Sequence, residues 1–229
     1  MSLRGRSWRG SAGIVIWNGV APGAAAEFER WHDEEHLAER LAIPGFLRAR
    51  RGVAVDGSAR YLTLYDVADA YAIGQGAYPA RLDAPTPWTR RVMPLMRDTA
   101  RILCRVSESL GRGEGAGEGD RLVALRLPET VSLAEEVRAS LAGEAARLVS
   151  EGLLVSATLL LRDDALTARR TAEHALRAER VATPAGALVG EARDHDAATA
   201  AAGRLAGILG AEPGGPACVY RIQVDRSAG

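Results

Sequence analysis

The feature that most constrains this chain is one order of elements met twice, on either side of a glycine-rich segment. Ser11–Val20 carries the apolar run Ile14-Val15-Ile16-Trp17 and reads as a strand. From Ala24 to about Leu41 the pattern is helical, with Phe28, Trp31 and Ala38 spaced to share a buried face. Pro44-Gly45 stops that helix and Phe46–Val55 is a second strand. Asp56-Gly57 is a hairpin signal leading into a third, Arg60–Val67. A helical stretch near Ala68–Gln75, a Pro-rich crossing segment Tyr78–Pro87, a short helix Trp88–Arg97 and a strand Thr99–Ser107 complete the first set.

Residues 109–120 hold Gly111, Gly113, Gly115, Gly117 and Gly119 with Glu and Arg between them, too few apolar side chains for a core, so they read as a linker. The order then returns. Arg121–Leu127 is a strand, and Ser132–Val149 is a helix that Ser132 and Glu135 would open as a capping box. Gly152–Arg162 and Ala185–Ala192 are strands, Ala197–Leu209 is a helix and Ala217–Val224 is the last strand. Residues 163–184 form a long, Arg-rich connection, a length usually tied to function or to a partner surface.

Each set is β-α-β-β-α-β, the ferredoxin-like unit. The fold class expected is therefore α+β: tandem ferredoxin-like halves, 11–108 and 121–226, joined by the linker 109–120. A sheet with helices on one face must bury its other face. The antiparallel sheets are expected to pack as an α+β barrel, a pseudo-dimer within one chain; a homodimer would cover the same face by symmetric pairing.

Composition narrows the function classes. All 29 basic residues are Arg and are balanced by 29 acids, so no net charge draws the chain to nucleic acid. The longest apolar stretches, such as Gly152–Leu161, fall far short of the ~20 residues of a spanning helix, so no membrane association is expected. Residues 1–10 are basic and polar and do not read as a secretory signal. Cys104 and Cys218 occupy equivalent strands and are expected to be buried thiols, which suits a cytoplasmic protein.

The stretch Phe28-x-x-Trp31-x-Asp33-x-Glu35-His36-x-x-Glu39-Arg40-Leu41-x-Ile43-Pro44-Gly45-Phe46-x-Arg48-Ala49-Arg50-Arg51, with Tyr61-Leu62-x-Leu64-Tyr65 and Pro85-Thr86-Pro87-Trp88-Thr89, resembles a bacterial group in the dimeric α+β barrel superfamily. That superfamily also holds EthD-like proteins and antibiotic-biosynthesis monooxygenases. The resemblance covers residues 12–107; in the second half it extends to strand order and to Thr171-x-Glu173-x-x-Leu176-Arg177. It implies a barrel whose relatives hold small aromatic or polyketide-like ligands between sheet and helices, with varied chemistry, some of it cofactor-free. A shared fold does not choose among those reactions.

His32-Asp33-Glu34-Glu35-His36 places two histidines at i and i+4, as in a zinc-binding H-E-x-x-H helix. Asp33 stands where the longer Glu is needed and no third ligand follows at a recognisable spacing, so no metal is expected. Asp33, His36 and Arg40 share a helical face at spacings of three and four. An Asp beside His raises its basicity, so Asp33 and His36 are the candidate catalytic pair, with His36 expected as imidazolium. The same trio could instead pin the helix end as a polar network. Candidate ligand contacts are Trp31, Arg40, Arg48, Arg50, Tyr61, Tyr65, Tyr78 and Trp88. Alternation puts Arg48 and Arg50 on one face, where they would either offer guanidinium groups to a carboxylate or phenolate, or pair with acids of the other sheet. Tyr78 and Trp88 flank the Pro-rich segment and would cap a pocket mouth or anchor its packing.

His195, between two aspartates, reads as part of a solvated helix start. No glycine-rich phosphate loop, nucleophile elbow or Cys/His cluster occurs, so no cofactor is expected. The reading is a small-molecule pocket protein, extended to a cofactor-free enzyme if His36 and Asp33 move a proton. The alternative is a non-catalytic ligand-binding or assembly module of the same fold.

Overall fold

Alternation along Tyr61–Val67 sets the layers of the molecule. Leu62 and Leu64 point into a core shared with Val15, Trp17, Ile102, Leu122 and Tyr220. Tyr65 and Val67 point the other way, against Leu37, Phe46 and Ile73. Successive side chains of a strand face opposite sides of its sheet, so the first set fills a barrel and the second a layer between sheet and helices. The structure is a computed structural model and describes residues 8–55, 60–111, 119–209 and 217–229.

Among these residues the strands are β1 (Ala12–Val20), β2 (Phe46–Ala54), β3 (Tyr61–Val67), β4 (Met96–Gly111), β5 (Arg121–Leu127), β6 (Ser156–Arg162), β7 (Gly186–Ala192) and β8 (Ala217–Ser227). They close into one barrel in the order β1-β3-β2-β8-β5-β7-β6-β4 and pair antiparallel throughout. The neighbours within strands one to four run 4-1-3-2, and those within five to eight run 8-5-7-6. The two sets meet at two hydrogen-bonded seams, β2–β8 and β4–β6. Closure leaves no sheet edge to attract another chain.

On the second set lie α6 (Glu135–Glu151) and α9 (His195–Ile208). Leu141, Leu148 and Leu205 pack there with Leu125 and Leu159, and each fully buried leucine contributes roughly 1.5–3 kcal/mol. Gly152, at φ 86°, closes α6 in the left-handed conformation that glycine adopts without cost. The expected capping box is not the start of this helix: α6 begins after Ala134, with no side-chain cap.

The first set carries α1 (Ala25–Trp31), a π-helical turn His32–His36, α2 (Leu37–Leu41), α3 (Ala70–Gly74), α4 (Ala77–Asp83) and α5 (Pro87–Val92). Leu37 N–H donates to His32 C=O, five residues back. A π turn admits one extra residue and rotates everything after it. His36, Leu37 and Arg40 are therefore buried while Ala38, expected on the buried face, is exposed. The Pro-rich crossing is also corrected: α4 occupies it, with Pro79 in the first turn, where a missing N–H costs no helical hydrogen bond.

The connection 163–184 belongs in sequence to the second set but lies along the first. Its short helices α7 (Asp164–Thr167) and α8 (Ala172–Ala175) are capped by Asp163 and Thr171. Arg101 N–H donates to Ala182 C=O and Ala182 N–H to Thr99 C=O. Ala172 N–H reaches Asp83 Oδ1 at 3.0 Å. Ser109–Gly111, expected in the linker, are the end of β4; residues 112–118 of that linker and the Asp56-Gly57 turn lie outside the described residues.

Candidate functional site

The outward side chains of β1 and β3 meet the π turn over a cavity of about 30 Å³, lined by Asn18, Trp31, His36, Arg40, Tyr65 and Tyr78 among others. That volume admits one or two water-sized groups or the tip of a larger molecule. Trp31 lies against His36 with ring centroids 4.3 Å apart, and its indole N–H donates to Glu35 Oε1 and Thr89 Oγ1, both at 3.2 Å. His32 packs beside His36 at 5.5 Å between centroids.

Polar atoms converge on this cavity without partners. Asn18 Oδ1, His36 Nδ1, Arg40 Nη1, Tyr65 Oη and Arg177 Nε are all buried and have no hydrogen bond among the described residues. A buried polar atom left unpaired costs about 1–3 kcal/mol, so such a concentration is expensive unless something else satisfies it. The cavity wall also takes Glu173 and Arg177 from the 163–184 connection. Arg40 Nη2 donates to Glu173 Oε2 at 2.5 Å, with both side chains buried.

Electrostatics differ from the expectation. Burial, and then the charge of Arg40, push the His36 pKa well below the usual 6.5. Burial followed by Arg51 does the same to His32. Both imidazoles are neutral at pH 7, and the expected imidazolium is corrected. Burial pushes the Tyr65 phenol up, so it stays protonated. Arg177 falls to about 10 through burial and the neighbouring Arg101, and remains a cation at pH 7.

Of the residues singled out in the sequence, the structure brings Trp31, His36, Arg40, Tyr65 and Tyr78 together at the cavity. Asp33 does not join them. The extra residue of the π turn carries it to Arg51, whose Nη1 and Nη2 donate to its two oxygens at 2.7 and 3.1 Å. It therefore gives His36 no carboxylate partner, and Arg51 Nη1 lies 3.2 Å from His32 Nδ1.

Arg48 and Arg50 lie inside the barrel, because the β2–β3 register shifts between Phe46 and Arg48. A bulge of this kind reverses the faces that follow it. Phe46 thus faces the helices while Arg50 faces Asp66 at 2.8 Å and Glu191, and Arg48 pairs with Asp225 and, at 3.4 Å, with Glu191. Of the two open readings this arrangement agrees with pairing to acids, Glu191 and Asp225 from the second set but Asp66 from the first. Tyr61 donates to Glu29 Oε1 at 2.7 Å and packs on Phe28. Trp88 donates to Glu27 Oε1 at 2.8 Å. Neither lines the cavity.

Glu173, Arg177 and Arg101 were given no site role by sequence reasoning, although the first two lie in the segment that carried the second-half resemblance. Among the described residues no group of three or more His, Cys, Asp or Glu side chains gathers where it could hold a metal. His195 is exposed at the start of α9.

No protein-family model matches the sequence, and no curated protein matches it. Solved structures do resemble the fold. An anthrone oxidase-like protein matches with a TM-score of 0.59 at 15% identity, over 100% of this chain and 96% of its own. A protein provisionally described as a monooxygenase, from Lactobacillus acidophilus NCFM, matches at 0.53 and 10% identity, over 96% and 98%. One provisionally described as a chlorite dismutase matches at 0.53 and 10% identity, over 94% and 96%. At such identities the likeness establishes a shared α+β barrel fold and nothing finer.

Proposed function

We propose that this protein binds a small organic molecule at the cavity between the first sheet and the π turn, with His36 as the group that accepts a proton from it. The observation that carries the reading is the set of five buried, unpartnered polar atoms on one small cavity. Neutral His36 is suited to accept rather than donate a proton. Tyr65 and Arg40 stand beside it as donors toward the oxygen left behind. The sequence resemblance to EthD-like and antibiotic-biosynthesis-monooxygenase-like proteins favours an aromatic or polyketide-like ligand and cofactor-free chemistry. The neighbours' descriptions as anthrone oxidase-like and monooxygenase proteins agree with that direction.

The same proposal reads the chain as two ferredoxin-like halves forming an internal pseudo-dimer. Its support is the neighbour order 4-1-3-2 followed by 8-5-7-6. A cytoplasmic setting is supported by two buried cysteines, Cys104 and Cys218, that form no disulfide among the described residues. Among the described residues no helix is long and apolar enough to cross a membrane.

A second reading, a binding module without turnover, is favoured by one finding: Asp33 is committed to Arg51, so no carboxylate activates His36. A thermal-shift screen with aromatic metabolites, followed by calorimetry on hits, tests both. Loss of binding in His36→Gln at unchanged melting temperature supports the site. Binding left intact while the melting temperature drops by several degrees makes His36 a structural residue and sinks the proposal. A hit bound but never consumed decides for the module.

A further inference from the structure

Arg101 forms a wall common to three spaces: the His36 cavity, a groove of about 220 Å³ with an apolar floor and Arg169 and Thr171 on its wall, and an open cleft of about 520 Å³. Ile73, Leu82, Leu103 and Leu166 line the groove. Arg162, Arg170 and Arg180 line the cleft. A hydrogen bond of 2.9 Å from Arg101 Nη2 to Tyr78 Oη separates cavity from groove.

Charge is distributed unevenly around these spaces. The whole chain is neutral, and many of its arginines sit in ion pairs. Arg162 lies beside both acids of the cleft, Asp164 at 2.6 Å and Glu129 at 4.0 Å. Arg101, Arg170, Arg177 and Arg180 form no ion pair among the described residues. Inside the cavity Glu173 pairs with Arg40; Arg177 feels that carboxylate only at a distance, its Nη1 donates to Thr99 Oγ1 at 3.3 Å, and its buried Nε has no partner among the described residues. A half-buried guanidinium that shares its counter-charge with Arg40 bears part of the cost of desolvating an ion, and an anionic ligand group would offset that cost.

We infer that the ligand is an organic acid whose carboxyl or phenol group gives up its proton, His36 accepting it, and lies as the anion between Arg177, Arg40 and His36. Its body lies in the groove beyond Tyr78, reached where the Arg101–Tyr78 hydrogen bond parts. This rests on the cavity being the binding site. Arg170 and Arg180 line the way in and raise the local concentration of anions, as clefts of one sign do. Guanidinium forks match carboxylate oxygens, and the cavity is large enough for that head group alone.

The test compares 1-naphthoate with its uncharged isostere 1-naphthamide by calorimetry on the full-length protein. The acid should bind at least about tenfold tighter than the amide. Arg177→Gln should level the two, Arg177→Lys should restore part of the preference, and both variants should keep the wild-type melting temperature to within a few degrees. Ala165→Trp, an exposed change at the groove lip, should weaken naphthoate and spare benzoate. In stopped flow, Arg170→Ala with Arg180→Ala should slow naphthoate association and flatten its salt dependence. Equal binding of acid and amide, both weakened by His36→Gln, would overturn the anion inference and leave the site standing. Indifference of both probes to His36→Gln would remove the inference and the site together.

Discussion

Arg40, on the last turn of the first helical stretch, and Glu173, in the connection of the second half, form a buried ion pair 133 positions apart in the chain. It fastens one half's connection across the other half's cavity. Deleting one member leaves a buried charge without a partner, which typically costs ~3–5 kcal/mol, whereas replacing both with apolar residues is close to neutral. Glu173→Ala should therefore lower the urea-unfolding free energy by about 3 kcal/mol, and Arg40→Met with Glu173→Leu should recover most of it. A loss under about 1 kcal/mol in the single variant would mean the pair is open in solution.

Asp33 should be dispensable at the cavity. Its side chain is a third exposed and is held by Arg51 rather than by His36. Asp33→Asn should cost about 1–3 kcal/mol of stability, because it leaves the buried Arg51 with a neutral acceptor in place of its carboxylate, and should leave the affinity for any cavity ligand unchanged. A tenfold loss of affinity in that variant would return Asp33 to the site.

Stability should rise with pH below neutrality because of His32 and His36. Both have pKa values lowered in the fold by burial, from an unfolded value near 6.5. Below 6.5 the unfolded chain binds protons that the folded chain does not, so the folded state loses ground as pH falls towards the folded pKa values. Above 6.5 this contribution is fully present and flat. The limiting slope is about 1.4 kcal/mol per pH unit per histidine. Urea titrations between pH 7.5 and 5.5 should show the rise, and His32→Gln with His36→Gln should flatten it. An unchanged slope in the double variant would contradict the burial of the pair.

The two hydrogen-bonded seams should hold the halves together without the covalent link. With a site for a sequence-specific protease inserted between Gly115 and Glu118, the cleaved chain should elute from gel filtration as one species of unchanged size. It should separate only in denaturant. Separation under native conditions would show that β2–β8 and β4–β6 do not sustain the barrel alone.

Strand order was legible in the sequence because period-two alternation survives in β1 and β3, where one face meets the barrel core and the other the helices. Two local irregularities defeated the same logic elsewhere. The bulge after Phe46 set that ring on the opposite face from Arg48 and Arg50, which stay together in the barrel, and the π turn moved Asp33 away from His36 while pulling Leu37 inward. Each is a one-residue insertion that leaves no mark in a periodicity count. Glu173 and Arg177 were hidden for a different reason: their place at the cavity depends on a contact between distant segments. The low pKa of His36 followed first from burial and then from arginines, Arg40 on its own helical stretch and Arg177 and Arg81 from distant segments.

The connection 163–184 bears on how the molecule can change. In a barrel assembled from two identical subunits, each substitution occurs twice and both binding sites alter together. Here one polypeptide contributes both halves, and a change at Glu173 or Arg177 touches a single wall of a single cavity. The first half is thus free to retain its aromatic and imidazole lining while the second is reshaped as its cover, an asymmetry that a gene encoding one repeated subunit could not reach.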